Sequence, residues 1–206
     1  MRFVRGMAAA MFAASMVAAA AAQQAPAGSG QRGASATPAA PAAPPMYLTS
    51  TSFGDGAIIP VIHTQAGMSL SPQLTWWNAP PGTQSFVLHM HDMEGARNKT
   101  TEDQLHWLVW NIAATTTNLP QGVPMGDLKD GGHQTSASGN GTYRGPGAPA
   151  AGPYHHYVIE LFALDTKVDV PANPNDPFDT RAKVLAAVQG HVIGKAVYLG
   201  LFRRPS

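Results

Sequence analysis

The sequence predicts a mostly β domain over residues 47–206, and three observations predict it. Apolar runs of strand length recur, rich in Val, Ile, Leu, Phe, Tyr and Trp. Clusters of Gly, Pro, Asn and Ser separate them. Only one segment shows helical spacing. Phe86–His91, His106–Ile112, Tyr157–Leu164 and Ala196–Phe202 are the four strong strands. They are apolar at odd and even positions alike, which predicts central strands covered on both faces. Leu74–Trp77 and Ala57–Ile62 are weaker strands. The helix is expected to start at a capping Asp179, to present Ala182, Leu185, Ala186 and Gln189 as one stripe with Val184 and Val188 beside it, and to stop at Gly190. Residues 113–153 read as long loops, a length that in a compact domain points to function or mobility.

Composition narrows the functional classes. The chain has 206 residues, 13 Lys and Arg against 12 Asp and Glu, and no cysteine. Near-neutral charge argues against a strongly basic nucleic-acid binder. The missing cysteine excludes disulfides, thiolate metal sites, a cysteine nucleophile and a lipidated cysteine.

The N-terminal segment reads as an export signal over residues 1–22. Arg2 and Arg5 form a cationic start, Met7–Ala22 is uncharged, and Ala20-Ala21-Ala22 offers small residues for cleavage. The run is short and Ala-rich for a membrane span, so no stable membrane insertion is expected after cleavage. Losing Arg2 and Arg5 turns the formal charge from +1 to −1. Residues 23–46, rich in Ala and Pro, read as a disordered linker. A periplasmic or secreted location follows.

Polar groups stand at the ends of the apolar runs. Asp92 follows the first, His106 opens the second, and His155 and Tyr157 open the third. If the first two runs pair antiparallel, Asp92 and His106 fall at the same end of the sheet. If the third is parallel to the second, His155 arrives there too, and the two-residue period puts it on one face with Tyr157. A Gly/Pro loop, Tyr143–Pro149, belongs beside this rim. Its glycines permit close backbone approach and can offer N–H groups to an anion. The polar segment Met93–Gln104 either overhangs the rim or is plain solvated loop.

Several spaced motifs resemble the phosphatidylethanolamine-binding protein family, which includes Raf kinase inhibitor proteins. Ser71-Pro72-Gln73-Leu74-Thr75-Trp76 is similar to its SPxLxW segment, and Ala79–Phe86 to its APxGTKSF turn. His91-Asp92 begins its HDPDAP motif. His106–Ile112 resembles HWVVxNI, Gly145-Pro146 resembles the start of GPxPP, and His155–Asp165 resembles HRYxFxxYALD. The resemblance implies a β-sandwich with a few short helices and a small anion pocket at one rim. By motif position, the pocket residues are Asp92, His106, Gly145, Pro146, His155 and Tyr157. The chain departs from the pattern at Met93-Glu94-Gly95-Ala96, where both prolines are missing, at His156 in place of Arg, and at Ala148 in place of Pro. The missing prolines predict a less rigid loop wall.

The resulting expectation is an exported, non-enzymatic binding protein without a cofactor, holding a phosphate-like or small anionic headgroup. Asp92 orients a histidine and keeps it protonated, the two imidazoles donate to the anion, and Tyr157 adds a neutral donor. Family resemblance extends this to a protease or kinase as protein target. The alternatives are an enzyme using the same rim for acid–base chemistry and a protein–protein module with a vestigial pocket. Two histidines and a carboxylate also fit a metal site, but the ligands come from separated segments. His89 and His91 alternate on one strand face and could bind metal, although the ordinary reading is as strand residues. No G-x-S-x-G elbow supports Ser136 or Ser138 as a nucleophile. The Trp residues read as packing, and the sequons at Asn98 and Asn140 as chance patterns.

Overall fold

The computed structural model describes residues 45–139 and 141–206. The export signal, most of the linker and Asn140 lie outside the described residues. Met46, placed at the end of the linker by sequence, is buried in the core.

Among the described residues, nine strands and one α-helix follow in chain order: β1 (Tyr47–Thr49), β2 (Ala57–Ile58), β3 (Leu74–Trp77), β4 (Ser85–Asp92), β5 (Gln104–Ala113), β6 (Asn118–Leu119), β7 (His133–Thr135), β8 (His155–Leu164), α1 (Pro177–Ala187) and β9 (Val192–Phe202). Short 3-10 turns occupy Val61–His63 and Arg97–Lys99. A six-stranded sheet has the order β2-β9-β8-β4-β5-β7, and a three-stranded sheet has the order β1-β3-β6. The strong strands all appear. Ala57–Ile62 is cut to two residues before a 3-10 turn, and the loop region 113–153 contains the short β6 and β7.

The main core lies between the two sheets, where Leu48, Leu74, Trp76 and Leu119 meet Phe86, Leu88, Met90, Trp107 and Val109. Trp76 meets Phe86 edge-on, with ring centroids 5.5 Å apart. A second cluster on the opposite face joins Val87, Leu105, Leu108 and Trp110 to Val168, Val184 and Val188 under α1. Coverage on both faces therefore holds for β4, whose eight residues are all buried, and nearly so for β5. It fails for β9, which alternates and leaves Val197 49% exposed, and is partial for β8. The cluster under α1 contains no residue of β9.

The helix expectation needs correcting in register. Its cap is Asp176, whose side chain accepts from the Asp179 N–H, and Pro177 occupies the first turn. The buried face is Pro177, Thr180, Arg181 and Val184, continued by Val188, whereas Ala182 and Ala186 are exposed. Gly190, at φ 82°, does end the segment.

Candidate functional site

β4 lies between β5 and β8 and is antiparallel to both, so β5 and β8 are parallel. Asp92 at the end of β4 faces Gln104 on β5 and Tyr157 on β8 across the ladder. His155 lies two residues before Tyr157 and shares its face. The topology that the sequence required for one rim is thus the one present.

His106 reaches the same rim through a β-bulge. Met90 pairs with Trp107 and His91 with Leu105, leaving His106 as the extra residue. A bulge puts two consecutive side chains on one side of a sheet. Trp107 accordingly enters the main core and Leu105 the core under α1, while His106 borders the rim cavity with Asp92.

Two carboxylates of the rim are each engaged by a histidine. His155 Nδ1 lies 2.9 and 3.0 Å from the two Asp92 oxygens, so its N–H is shared across the carboxylate. Asp92 Oδ1 also accepts the Glu94 N–H at 3.0 Å. Glu94 reaches His156, accepting its main-chain N–H and pairing with its Nδ1, each at 2.7 Å. Burial opposes the charge on Glu94, but the His156 bonds outweigh it and hold the carboxyl below its ordinary range. Two departures from the family pattern, the longer Glu94 and His156 in place of Arg, are therefore one interaction.

His106 differs from the sequence expectation. Burial pushes its pKa below the ordinary value, more strongly than the Arg144 carbonyl and the Asp92 charge raise it. The ring is therefore neutral near pH 7. Its Nδ1–H donates to the Arg144 carbonyl at 2.8 Å, which makes Nε2 the unprotonated nitrogen of the neutral ring. It offers a lone pair at neutral pH and becomes a donor only on taking up a proton.

Tyr157 is also corrected. It is wholly buried, and its oxygen accepts the N–H groups of Gly147 and Ala148 at 3.3 and 3.1 Å. Burial, with the Asp92 charge beside it, raises the phenol far above its ordinary value. Tyr157 thus props the loop from inside and does not line the cavity, and the N–H of Gly147, one of the loop glycines expected to offer amides to an anion, is spent on it. His106 and Tyr157 pack edge-on at 5.0 Å.

Gly145 and Pro146 shape the loop from behind. A Cβ at Gly145 would stand 2.5 Å from the His63 carbonyl oxygen and 2.7 Å from Thr64 Cα, so only glycine fits. Gln65 Nε2 donates to the Gly145 carbonyl and the Gln65 N–H to that of Pro146, at 2.8 and 2.9 Å. The cavity, about 460 Å3, is bounded instead by Asp92, His106 and His155 with Gln65, Glu94, Gln104, Arg97 and Arg144, among others. Sequence reasoning missed Gln65, Gln104 and Arg144. Gln104 had a signal, since it lies two residues before His106, and Arg144 lies inside the loop already singled out.

The profile described as phosphatidylethanolamine-binding protein matches residues 49–203. The chain belongs to the phosphatidylethanolamine-binding protein family. A UPF0098 protein of Methanothermobacter thermautotrophicus is 36% identical over 161 residues, covering 77% of this chain and 99% of the relative. Mycobacterium tuberculosis has a relative bearing the name lipoprotein LppC, 32% identical over 81% of this chain and 77% of its own. Among solved structures, the phosphatidylethanolamine-binding protein homologue CT736 of Chlamydia trachomatis superposes with a TM-score of 0.65 at 26% identity. Escherichia coli YbcL, described as a member of the mammalian family, gives 0.61 at 26%. Each structural match covers 78% of this chain and 99% of the other.

Against the family's HDPDAP pattern, the prolines are replaced by hydrogen bonds. The Met93 N–H donates to the His156 carbonyl at 3.0 Å and the Ala96 N–H to that of Glu94 at 2.9 Å, bonds that proline cannot make. Gly95 packs where a Cβ would come within 2.8 Å of Gln104 Cβ. No helix among the described residues is long and apolar enough to cross a membrane.

Proposed function

We propose that this family member is an exported binding protein that holds a phosphate-like or small anionic group in the rim cavity. The observation that carries the reading is charge pairing within the wall. Asp92 is engaged by His155 and Glu94 by His156, so neither carboxylate faces the cavity uncompensated. Arg144 makes no side-chain hydrogen bond or ion pair among the described residues, and it borders the cavity with His106 and His155. An anion seated there accepts from the Arg144 guanidinium and from the outer nitrogens of the two imidazoles. Binding draws a proton onto His106, because the anion's charge favours the imidazolium.

The role of Asp92 is to orient His155. With Nδ1–H fixed on the carboxylate, Nε2 is the nitrogen turned to the ligand. The cavity lacks a long apolar wall, so a headgroup alone binds on the order of micromolar to millimolar. Export is supported by the charged-then-apolar N-terminal segment and by the lipoprotein name of the mycobacterial relative. This chain has no cysteine, so a lipid on a cysteine is not its mode of attachment. A protease or kinase as protein target is a further part of the proposal, resting on family resemblance.

Calorimetry with inorganic phosphate and phosphoethanolamine tests the reading. Saturable binding of either, weakened about tenfold or more by Asp92→Asn as a hydrogen bond to a charged group is lost, supports it. Absence of binding by both ligands contradicts it and favours the protein–protein module.

A further inference from the structure

On the helix-facing side of the sheet, opposite the rim cavity, β4 and β8 carry polar side chains among apolar neighbours. His89 and His91 are two residues apart on β4 and share a face. Glu160 stands across from His89 in the β4–β8 ladder. The two imidazoles are 4% and 9% exposed and stack at 4.4 Å, nearly parallel.

Glu160 Oε2 lies 3.5 Å from His89 Nδ1 and 3.4 Å from His91 Nε2. Those separations are long for N–H···O bonds. They match the edge of a tetrahedron around zinc, where ligand bonds of roughly 2.0–2.1 Å put neighbouring donors about 3.3 Å apart. One donor atom from each of the three residues lies within 4.8 Å of the others. His91 Nε2 is buried with no hydrogen-bond partner among the described residues, an arrangement that ordinarily costs about 1–3 kcal/mol.

The surroundings hold these donors in place. His91 Nδ1 is bonded to Asp103, whose other oxygen accepts from Arg181 of α1 at 2.6 Å. A carboxylate on the far nitrogen is what fixes the tautomer and ring orientation of a metal-bound imidazole. Lys195 holds Glu160 Oε1 at 2.5 Å, which leaves Oε2 to the cluster. The Glu160 and Lys195 side chains are 19% and 48% exposed, so the site has an edge to solvent.

We propose that His89 Nδ1, His91 Nε2 and Glu160 Oε2 form a three-ligand site for a divalent transition metal, with zinc as the best fit. Two imidazoles and one carboxylate, with no thiolate, suit zinc in a tetrahedron whose fourth position takes water. Zinc would give the buried His91 Nε2 the partner it otherwise lacks. The positive charges of Lys195 and Arg181 work against a dication and Asp103 works for it, so micromolar affinity is expected in place of the far tighter binding of closed structural sites. The site is independent of the rim reading and sits on the other face of the sheet.

The test uses untagged full-length protein, stripped with a chelator and titrated with Zn2+ by calorimetry and with Co2+ by visible absorption. One equivalent should bind and shift the ring signals of His89 and His91 by NMR. His89→Ala and Glu160→Gln should each weaken binding about tenfold or more. His155→Ala, which breaks the separate Asp92, Glu94 and His155 group, should leave it unchanged. Glu160→Gln preserves side-chain shape and circular dichroism reports folding of each variant. Should His89→Ala not fold, Glu160→Gln and the wild-type NMR shifts decide. The proposal is overturned if no saturable binding occurs, if the His89 and His91 signals stay fixed, or if binding survives Glu160→Gln and vanishes in His155→Ala.

Discussion

His106 and Arg144 hold each other twice: the Arg144 N–H donates to the His106 carbonyl at 3.0 Å, and His106 Nδ1–H donates to the Arg144 carbonyl at 2.8 Å. The bulge that aims His106 into the cavity and the loop that carries Arg144 are thereby one unit. The same contact fixes the tautomer, leaving Nε2 as the ring atom available to a ligand.

From this comes a pH dependence with opposite signs for stability and affinity. His106 is depressed below its ordinary value of 6.5 by burial. Its contribution to stability is therefore present above 6.5 and lost as pH falls through the lower, folded-state value. Anion binding favours the protonated ring and should tighten over that same fall. Sulfate, whose charge does not change in this range, separates protein protonation from ligand protonation. Calorimetry near pH 6.5 in buffers of different ionisation enthalpy should show proton uptake on sulfate binding. Uptake of zero would contradict the role given to His106.

Tyr157→Phe keeps the packing against His106 but leaves the Gly147 and Ala148 N–H groups without their acceptor. A loss of about 1–3 kcal/mol in urea unfolding is expected. Hydrogen exchange should speed up at those two amides, and phosphate affinity should fall through loosening of the loop. Unchanged exchange at both amides would show that the phenol does not prop the loop.

Gly145→Ala should destabilise by about 1–3 kcal/mol. Its Cβ would meet main-chain atoms of His63 and Thr64, which cannot yield as a flexible side chain would. A melting temperature equal to wild type would refute the close approach.

Met93→Pro restores a residue of the family pattern, yet it should not stabilise. Proline restricts the unfolded chain, which favours folding by about 0.4–1 kcal/mol at a compatible site. Here it also removes the N–H bonded to the His156 carbonyl, a loss of about 1 kcal/mol. Chemical denaturation should give a midpoint no higher than wild type, and a clear increase would mean the hydrogen bond does not substitute for the proline.

The legible parts of the sequence were those with long apolar runs. Phe86–His91 announced β4 because both faces of that strand are buried, whereas two-residue β6 left no periodic trace. The helix was found but rotated, because its buried face includes polar Thr180 and Arg181. Thr180 is satisfied by Asn173 and Asp176, and Arg181 by Asp103, so an apolar pattern could not reveal them. At the rim, the two-residue period grouped His155 with Tyr157, and Asp92 joined them only on the condition that the first two runs pair antiparallel, as β4 and β5 do. The bulge at His106 was invisible, since one extra residue leaves no mark in composition. Nor could the sequence show that Tyr157 points its hydroxyl at the loop amides.

The most direct test of the rim as an anion site is nitrogen-resolved NMR of the imidazoles during titration with inorganic phosphate. The account predicts that the Nε2 signals of His106 and His155 shift together and saturate, with His106 moving toward the protonated form, while the surface His191 stays fixed. If neither signal moves up to about 10 mM phosphate, beyond the affinity range expected of a lone headgroup, the rim does not bind anions in this way.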